Sequence, residues 1–166
     1  TISVKQGTLL REELLSIKAI DPACGSGAYL IGLLQELTRI HLTLSTNLSD
    51  SSGSIFDLKH QIISQSLFGI DIDSDAVDRT MCRLWLSLAT DSVHPFSMPR
   101  DKFNLEAGDS LLGLGPQCTQ DVLAKHGGFD LVLANPPYVS HGHINPDVKK
   151  DLLQQYGHVK NSPVHN

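Results

Sequence analysis

The chain is short of positive charge. Its 166 residues carry 13 Lys and Arg against 18 Asp and Glu, a net charge of −5. A protein that grips nucleic acid unaided presents a basic face. Here the basic residues are scattered, so most of any phosphate grip must come from outside this chain. Cysteines are three, Cys24, Cys82 and Cys118, odd in number and without CxxC spacing. That argues against a disulfide framework and for a reduced, cytosolic protein. No apolar run is long enough to cross a membrane. The start, Thr1-Ile2-Ser3-Val4-Lys5, has no charged-then-apolar signal pattern. The dinucleotide fingerprint GxGxxG fails because Leu30 stands at its third glycine, and no Gly-Lys-Ser/Thr follows to make a P-loop. His141-Gly142-His143 offers two imidazoles without an evident third ligand, so it is expected in solvent and no metal is expected.

What is there suits one domain with a proper core, at 40% hydrophobic residues. Helices are expected over 9–17, 29–44, 55–64, 117–126 and 147–156. A further one is opened by Asp73-Ser74-Asp75, whose apolar face is Val77, Met81, Leu84, Trp85 and Leu88. Leu30, Leu33, Leu34, Leu37, Ile40 and Leu44 share one face of the second helix. Strands are expected over 18–21, 67–71, 103–107 and 129–134, the last as a buried apolar run. The Ser/Asn/Asp/Gly-rich stretch 45–54 reads as a loop. Alternating strands and helices predict an α/β fold with a mostly parallel, doubly wound sheet. Trp85, at helical spacing, is expected in the core, and Lys149-Lys150 on a solvated face.

In such sheets ligands bind outside the carboxyl ends of the strands. All four expected strands end in suitable chemistry. After the first comes Asp21-Pro22-Ala23-Cys24-Gly25-Ser26-Gly27, whose glycines permit a tight turn and close approach of a ligand. The helix start that follows favours a negative group such as a carboxylate. The second strand ends on Asp71, an acceptor for both hydroxyls of a ribose. It stands 44 residues after Gly27, against about 20 in the dinucleotide fingerprint, so 45–64 is an insertion. Asp73, beside Ser74, is the better helix cap. Gly108-Asp109-Ser110 follows the third strand, with Asp109 placed for the amino edge of an adenine. Asn135-Pro136-Pro137-Tyr138 follows the fourth. Its prolines stiffen the turn and leave carbonyls unpaired. An amide oxygen, a free carbonyl and an aromatic ring suit a planar substrate with an NH2 group.

Together the glycine turn and Asn-Pro-Pro-Tyr resemble the N6-adenine DNA methyltransferases that use S-adenosylmethionine, in the γ order of motifs. Gly69-Ile70-Asp71-Ile72-Asp73, Arg83-Leu84-Trp85-Leu86-Ser87-Leu88 and Gly108-Asp109-Ser110-Leu111-Leu112 look like the methylase part of type IIG restriction–modification enzymes. The resemblance covers roughly 14–139. It implies a Rossmann-like methyltransferase fold. It assigns Asp21, Pro22, Ala23, Gly25, Ser26 and Gly27 to the methionine part of the cofactor, Asp71 and Ile72 to the ribose side, and Asp109 and Ser110 to adenine. Asn135, Pro136, Pro137 and Tyr138 would be catalytic, Asn135 also lining the cofactor, and Tyr138 stacking on an adenine flipped out of double-stranded DNA.

The adenine amino lone pair is delocalised into the ring, so catalysis needs two acceptors on its hydrogens and in-line positioning, without metal or covalent enzyme intermediate. Cys24 is then a small buried residue, not a nucleophile. No Pro-Asp…Asp/Glu-x-Lys nuclease pattern is present. The resemblance also implies that residues 1–166 are the N-terminal part of a longer methyltransferase domain, lacking the target-recognition domain, inactive alone, with the fourth strand an exposed apolar edge. A glutamine methyltransferase of release factors, which shares Asn-Pro-Pro-Tyr, is the second reading, an RNA guanine N2-methyltransferase a weaker third. The non-enzyme alternative is a cofactor-binding fragment.

Overall fold

A computed structural model describes residues 3–47, 53–97, 100–111, 117–136 and 146–156. Helix α1 (Val4–Ser16) opens on a capping box between Ser3 and Gln6, five residues before the apolar pattern begins. Strand β1 (Ala19–Asp21) leads into α2 (Ala28–Asn47). Helix α3 (Ile55–Gln65), capped by Ser54, leads into β2 (Leu67–Asp71). Helix α4 (Ser74–Ala89) is capped by Asp73, as expected, through Asp75 N–H. A 3-10 turn (Arg100–Lys102) precedes β3 (Asn104–Ala107), and α5 (Gln117–His126) precedes β4 (Leu131–Val132). Helix α6 (Pro146–Tyr156) closes the order.

The four strands form one parallel sheet in the order β3-β2-β1-β4. The order turns outward from β1 in both directions, so the crevice between the ends of β1 and β4 is the switch point where open α/β sheets bind ligands. Side chains alternate across β2, as the pleat requires. Leu67 joins the core beneath α2, α3 and α4, with Leu30, Leu34, Ile62, Leu84 and Leu88. Phe68 and Ile70 join the other face with Ile20, Val122 from α5 and Phe129. Gly69 has no room for a side chain: a Cβ there would stand 2.7 Å from Leu105 and 2.8 Å from Leu30. That lets the start of α2 settle onto the sheet.

Besides the earlier start of α1, expected at residue 9, three expectations need correction. Helix α2 runs three residues into the stretch expected as loop, its Thr43 and Thr46 hydroxyls bonded back to Arg39 and Leu42 carbonyls at 2.8 and 2.9 Å. The fourth strand is two residues long and not buried as its apolar run suggests: Leu131 is 37% exposed and Val132 62%, the exposed edge that the resemblance implies. Among the described residues it lies at the sheet edge with β1 as its one strand neighbour and a partly covered face, which does not bury it. Trp85 is not core. The buried stripe of α4 runs Val77, Thr80, Leu84, Leu88, and Trp85 lies beside it, 37% exposed and stacked on Phe96 at 5.7 Å.

Candidate functional site

Asp21 ends β1 fully buried, and one carboxylate oxygen accepts from Ala23 N–H at 3.1 Å. The other, Oδ2, has no hydrogen-bond partner among the described residues. Burial raises its pKa above the usual carboxylate value, opposed by the Ala23 bond, and nearby Asp71 raises it further.

The glycine turn is held from several sides. Cys24 N–H donates to Ile70 O at 2.9 Å, carrying the β1–β2 tie past the end of the strand. Gly25 N–H donates to Asp71 Oδ2 at 2.7 Å, and Asp73 N–H to Asp71 Oδ1 at 3.0 Å. The buried Thr80 hydroxyl donates to Gly25 O at 2.8 Å. Arg83 Nη1 donates to Ser26 O at 2.5 Å. Gly27, at φ +78°, has Thr80 against its α carbon, with Cγ2 2.6 Å from where a Cβ would stand. Glycine is the residue this backbone requires.

The β3 loop reaches across to the same turn. Ser110 Oγ donates to Pro22 O at 2.8 Å, and Asp109 Oδ1 accepts from Leu111 N–H at 2.8 Å. Three loops from β1, β2 and β3 are thus joined into one rim by named hydrogen bonds. A groove of about 520 Å³ adjoins it between α4 and β3, bounded near the rim by Ser74 and Ala107. Ile72, next to Asp71, is 76% exposed.

On the other side of β1, Asp130 Oδ2 accepts from Lys18 N–H at 2.8 Å and Leu133 N–H donates to Ile20 O at 2.9 Å. These bonds carry the chain to the carboxyl end of the sheet, where Asn135 and Pro136 are exposed. Pro137, Tyr138, His141 and His143 lie outside the described residues, so the expectations on them stay as sequence readings. Asp21, Pro22, Ala23, Gly25, Ser26, Gly27, Asp71, Asp109 and Ser110 are brought together. Asp71 and Ser110 spend hydrogen bonds on the turn itself, a structural use that the sequence reading did not foresee. Thr80 and Arg83 were missed. A signal existed for Thr80, which lies three residues after Val77 and four before Leu84, on the inward face.

Cys24 is buried, and its thiol is pushed up to about 11, first by burial and then by Asp21 and Asp71. It is inert at neutral pH. No group of three or more His, Cys, Asp or Glu that could hold a metal is found among the described residues. No helix is long and apolar enough to cross a membrane among those residues.

An open parallel sheet with helices on both faces, and with its carboxyl-end loops tied around a glycine turn, defines a doubly wound α/β protein; in such sheets that edge is where ligands bind. Residues 65–165 match the family model described as Eco57I restriction-modification methylase, and the chain belongs to that family. It is 36% identical over 108 residues to a putative type II restriction enzyme and methyltransferase of Methanocaldococcus jannaschii, covering 61% of this chain and 9% of that protein. It is 30% identical over 156 residues to DNA methyltransferase A of Bacillus subtilis, covering 89% and 18%. To the type II restriction enzyme and methyltransferase RM.Eco57I of Escherichia coli it is 27% identical over 162 residues, covering 84% and 16%. The chain thus spans between 9% and 18% of the length of these curated relatives. Its fold is shared with part of MmeI, a Type IIL restriction-modification enzyme solved in complex with DNA, at TM-score 0.63 and 21% identity, covering 96% of this chain and 22% of that one.

Proposed function

We propose that this chain carries the S-adenosylmethionine site and the amino-methylating turn of a DNA methyltransferase that modifies the N6 amino group of adenine within a restriction–modification system. The observation that carries the reading is the joined rim: Asp71 on Gly25, and Ser110 on Pro22, bring the ends of β1, β2 and β3 to one place. Family membership and the names of the relatives support methyl transfer to DNA.

The residues present fit the cofactor. Asp21 Oδ2 is a buried acceptor without a donor among the described residues, which suits an ammonium group such as that of a methionine moiety. Gly25, Ser26 and Gly27 would carry the backbone of that part. Asp71 would hold the ribose with the lone pairs its turn bonds leave, beside the exposed Ile72. Asp109 would meet the adenine edge. When bound, S-adenosylmethionine supplies an electrophilic methyl group on sulfonium.

The protein's own work is then positioning. Asn135 Oδ1 and the Pro136 carbonyl would accept the two hydrogens of the target amino group, drawing its lone pair out of the ring. Pro137 would stiffen this turn and Tyr138 would stack on the flipped base. No charged group needs to act as a strong base. Residues 1–166 would be the N-terminal part of the methyltransferase domain. DNA grip and sequence choice would lie in other segments, consistent with the net charge of −5.

The test is transfer of labelled methyl from S-adenosylmethionine to DNA by the full-length protein, followed by nucleoside analysis. N6-methyladenine that disappears in Asn135→Ala supports the reading. Label on a release-factor glutamine, or none on DNA, overturns it.

A further inference from the structure

Thr80 is buried in the middle of α4, yet it does not use its hydroxyl as four other threonines do in their helices. Thr8, Thr38, Thr43 and Thr46 each donate to the carbonyl four residues back in their own helix, at 2.7 to 3.2 Å. That is the ordinary outlet for a helical threonine. Thr80 instead donates across 55 residues to Gly25 O at 2.8 Å. One turn on, Arg83 donates to the next carbonyl, Ser26 O, and lies 3.3 Å from Ser26 Oγ. Two successive carbonyls of the glycine turn are therefore held from one face of α4.

These anchors fall where the backbone is softest. Gly25 and Gly27 stand at φ +53° and +78°, and glycine there restricts the chain least. Gly25 is fixed on both sides, its N–H by Asp71 and its carbonyl by Thr80. The Thr80 methyl fills the space over the Gly27 α carbon. Hydroxyl and methyl act together, one orienting a carbonyl and the other setting the depth of the turn.

We infer that Thr80, seconded by Arg83, is a positioning residue that holds the Gly25–Gly27 turn in the shape that receives the methionine part of the cofactor. The inference rests on the function proposed above. A turn that must find its shape on binding loses affinity in proportion to the fraction of competent molecules. The loss falls on cofactor binding and not on the chemical step, which the turn after β4 would carry.

The experiment compares wild type, Thr80→Val and Thr80→Ser in the full-length protein, measuring the S-adenosylmethionine Kd by calorimetry together with KM, kcat and Tm. Valine keeps the shape and removes the donor; serine keeps the donor. Thr80→Val should raise both Kd and KM for S-adenosylmethionine about tenfold, the loss of roughly one good hydrogen bond. The kcat at saturation should stay within about twofold, and Thr80→Ser should recover most of the affinity. Unchanged Kd in Thr80→Val overturns the inference, as does a fall in kcat and Tm with KM unmoved, which is what a purely structural role gives. If Thr80→Val does not fold, Arg83→Gln, at an exposed position, carries the test through the same KM shift, and an unchanged KM overturns it. A folded wild type that binds no S-adenosylmethionine overturns the proposed function and this inference with it. Binding by wild type with Thr80→Val unaffected overturns the inference alone.

Discussion

Asp21 shows how the site and the fold compete at the scale of one residue. Its carboxyl is buried, with one oxygen unpartnered among the described residues and its pKa raised. In the folded state the proton is held more tightly than in the unfolded chain, where the pKa is about 3.9. This group therefore favours folding below that pH, and the contribution is lost as pH rises through the raised folded value. Asp21→Asn keeps an oxygen for Ala23 N–H and removes the buried charge. It should have a higher Tm than wild type at pH 7, with the difference vanishing below about pH 4, while cofactor binding weakens. Thermal melts across pH and calorimetry check both halves; equal Tm at all pH values would refute the electrostatic account. Gly27→Ala acts in the opposite sense. Its φ of +78° and the 2.6 Å approach of Thr80 leave a methyl group neither conformation nor space. The expected loss is about 2–4 kcal/mol, from backbone strain and overpacking together, read from urea unfolding.

At the scale of the element, α2 carries a cost that its apolar pattern concealed. His41 is 2% exposed, and its Nε2 has no hydrogen-bond partner among the described residues. Burial, and then the Arg11 charge on α1, hold its pKa below the usual imidazole value. The unfolded histidine takes a proton near pH 6.5, the folded one only at lower pH. The neutral ring thus contributes stability above about pH 6.5, lost as pH falls toward the depressed folded value. His41→Leu should flatten that acid limb and raise stability at pH 7 by about 1 kcal/mol, by removing an unsatisfied polar atom. Denaturant curves at pH 5 and 7 decide it. Some element boundaries were legible in local chemistry: Asp73 caps α4 as expected and Leu67–Asp71 is the expected strand to the residue, whereas the Ser3–Gln6 capping box starts α1 five residues before the expected start. Trp85 was misjudged because helical spacing gives a stripe and not its width.

At the scale of the whole molecule, the two flanks of the sheet differ among the described residues. The β3 flank is tied down by Asn104 Nδ2, which donates to Ser64 and Leu67 carbonyls at 3.0 and 3.1 Å. At the other flank β4 presents exposed Leu131 and Val132 on an edge strand. Such an edge invites pairing. Val132→Lys in residues 1–166 should lower concentration-dependent self-association without changing the far-ultraviolet spectrum; light scattering tests it. The acidic balance belongs to this scale too. Residues 1–166 should bind duplex DNA weakly even at low salt, and tight binding in a gel-shift titration would contradict the view that the phosphate grip lies elsewhere.

The α/β class, the mostly parallel sheet and the residues of the rim, Asp21 to Gly27, Asp71, and Asp109 with Ser110, are legible in the amino-acid order alone. Those features are local, since a glycine turn, an acidic strand end and a cap announce themselves within a few residues. How the rim is held is a matter of the folded chain. Asp71 bonds to Gly25, Ser110 to Pro22, and Thr80 and Arg83 to the turn, across separations of 46, 88, 55 and 57 residues. Local pattern carries no record of such bonds, because each depends on which loops the sheet order brings side by side. The apolar run of β4 alone could not tell burial from exposure, because such a run looks identical in the middle of a sheet and at its edge; the exposed edge was expected from the resemblance, and the sheet order places it there.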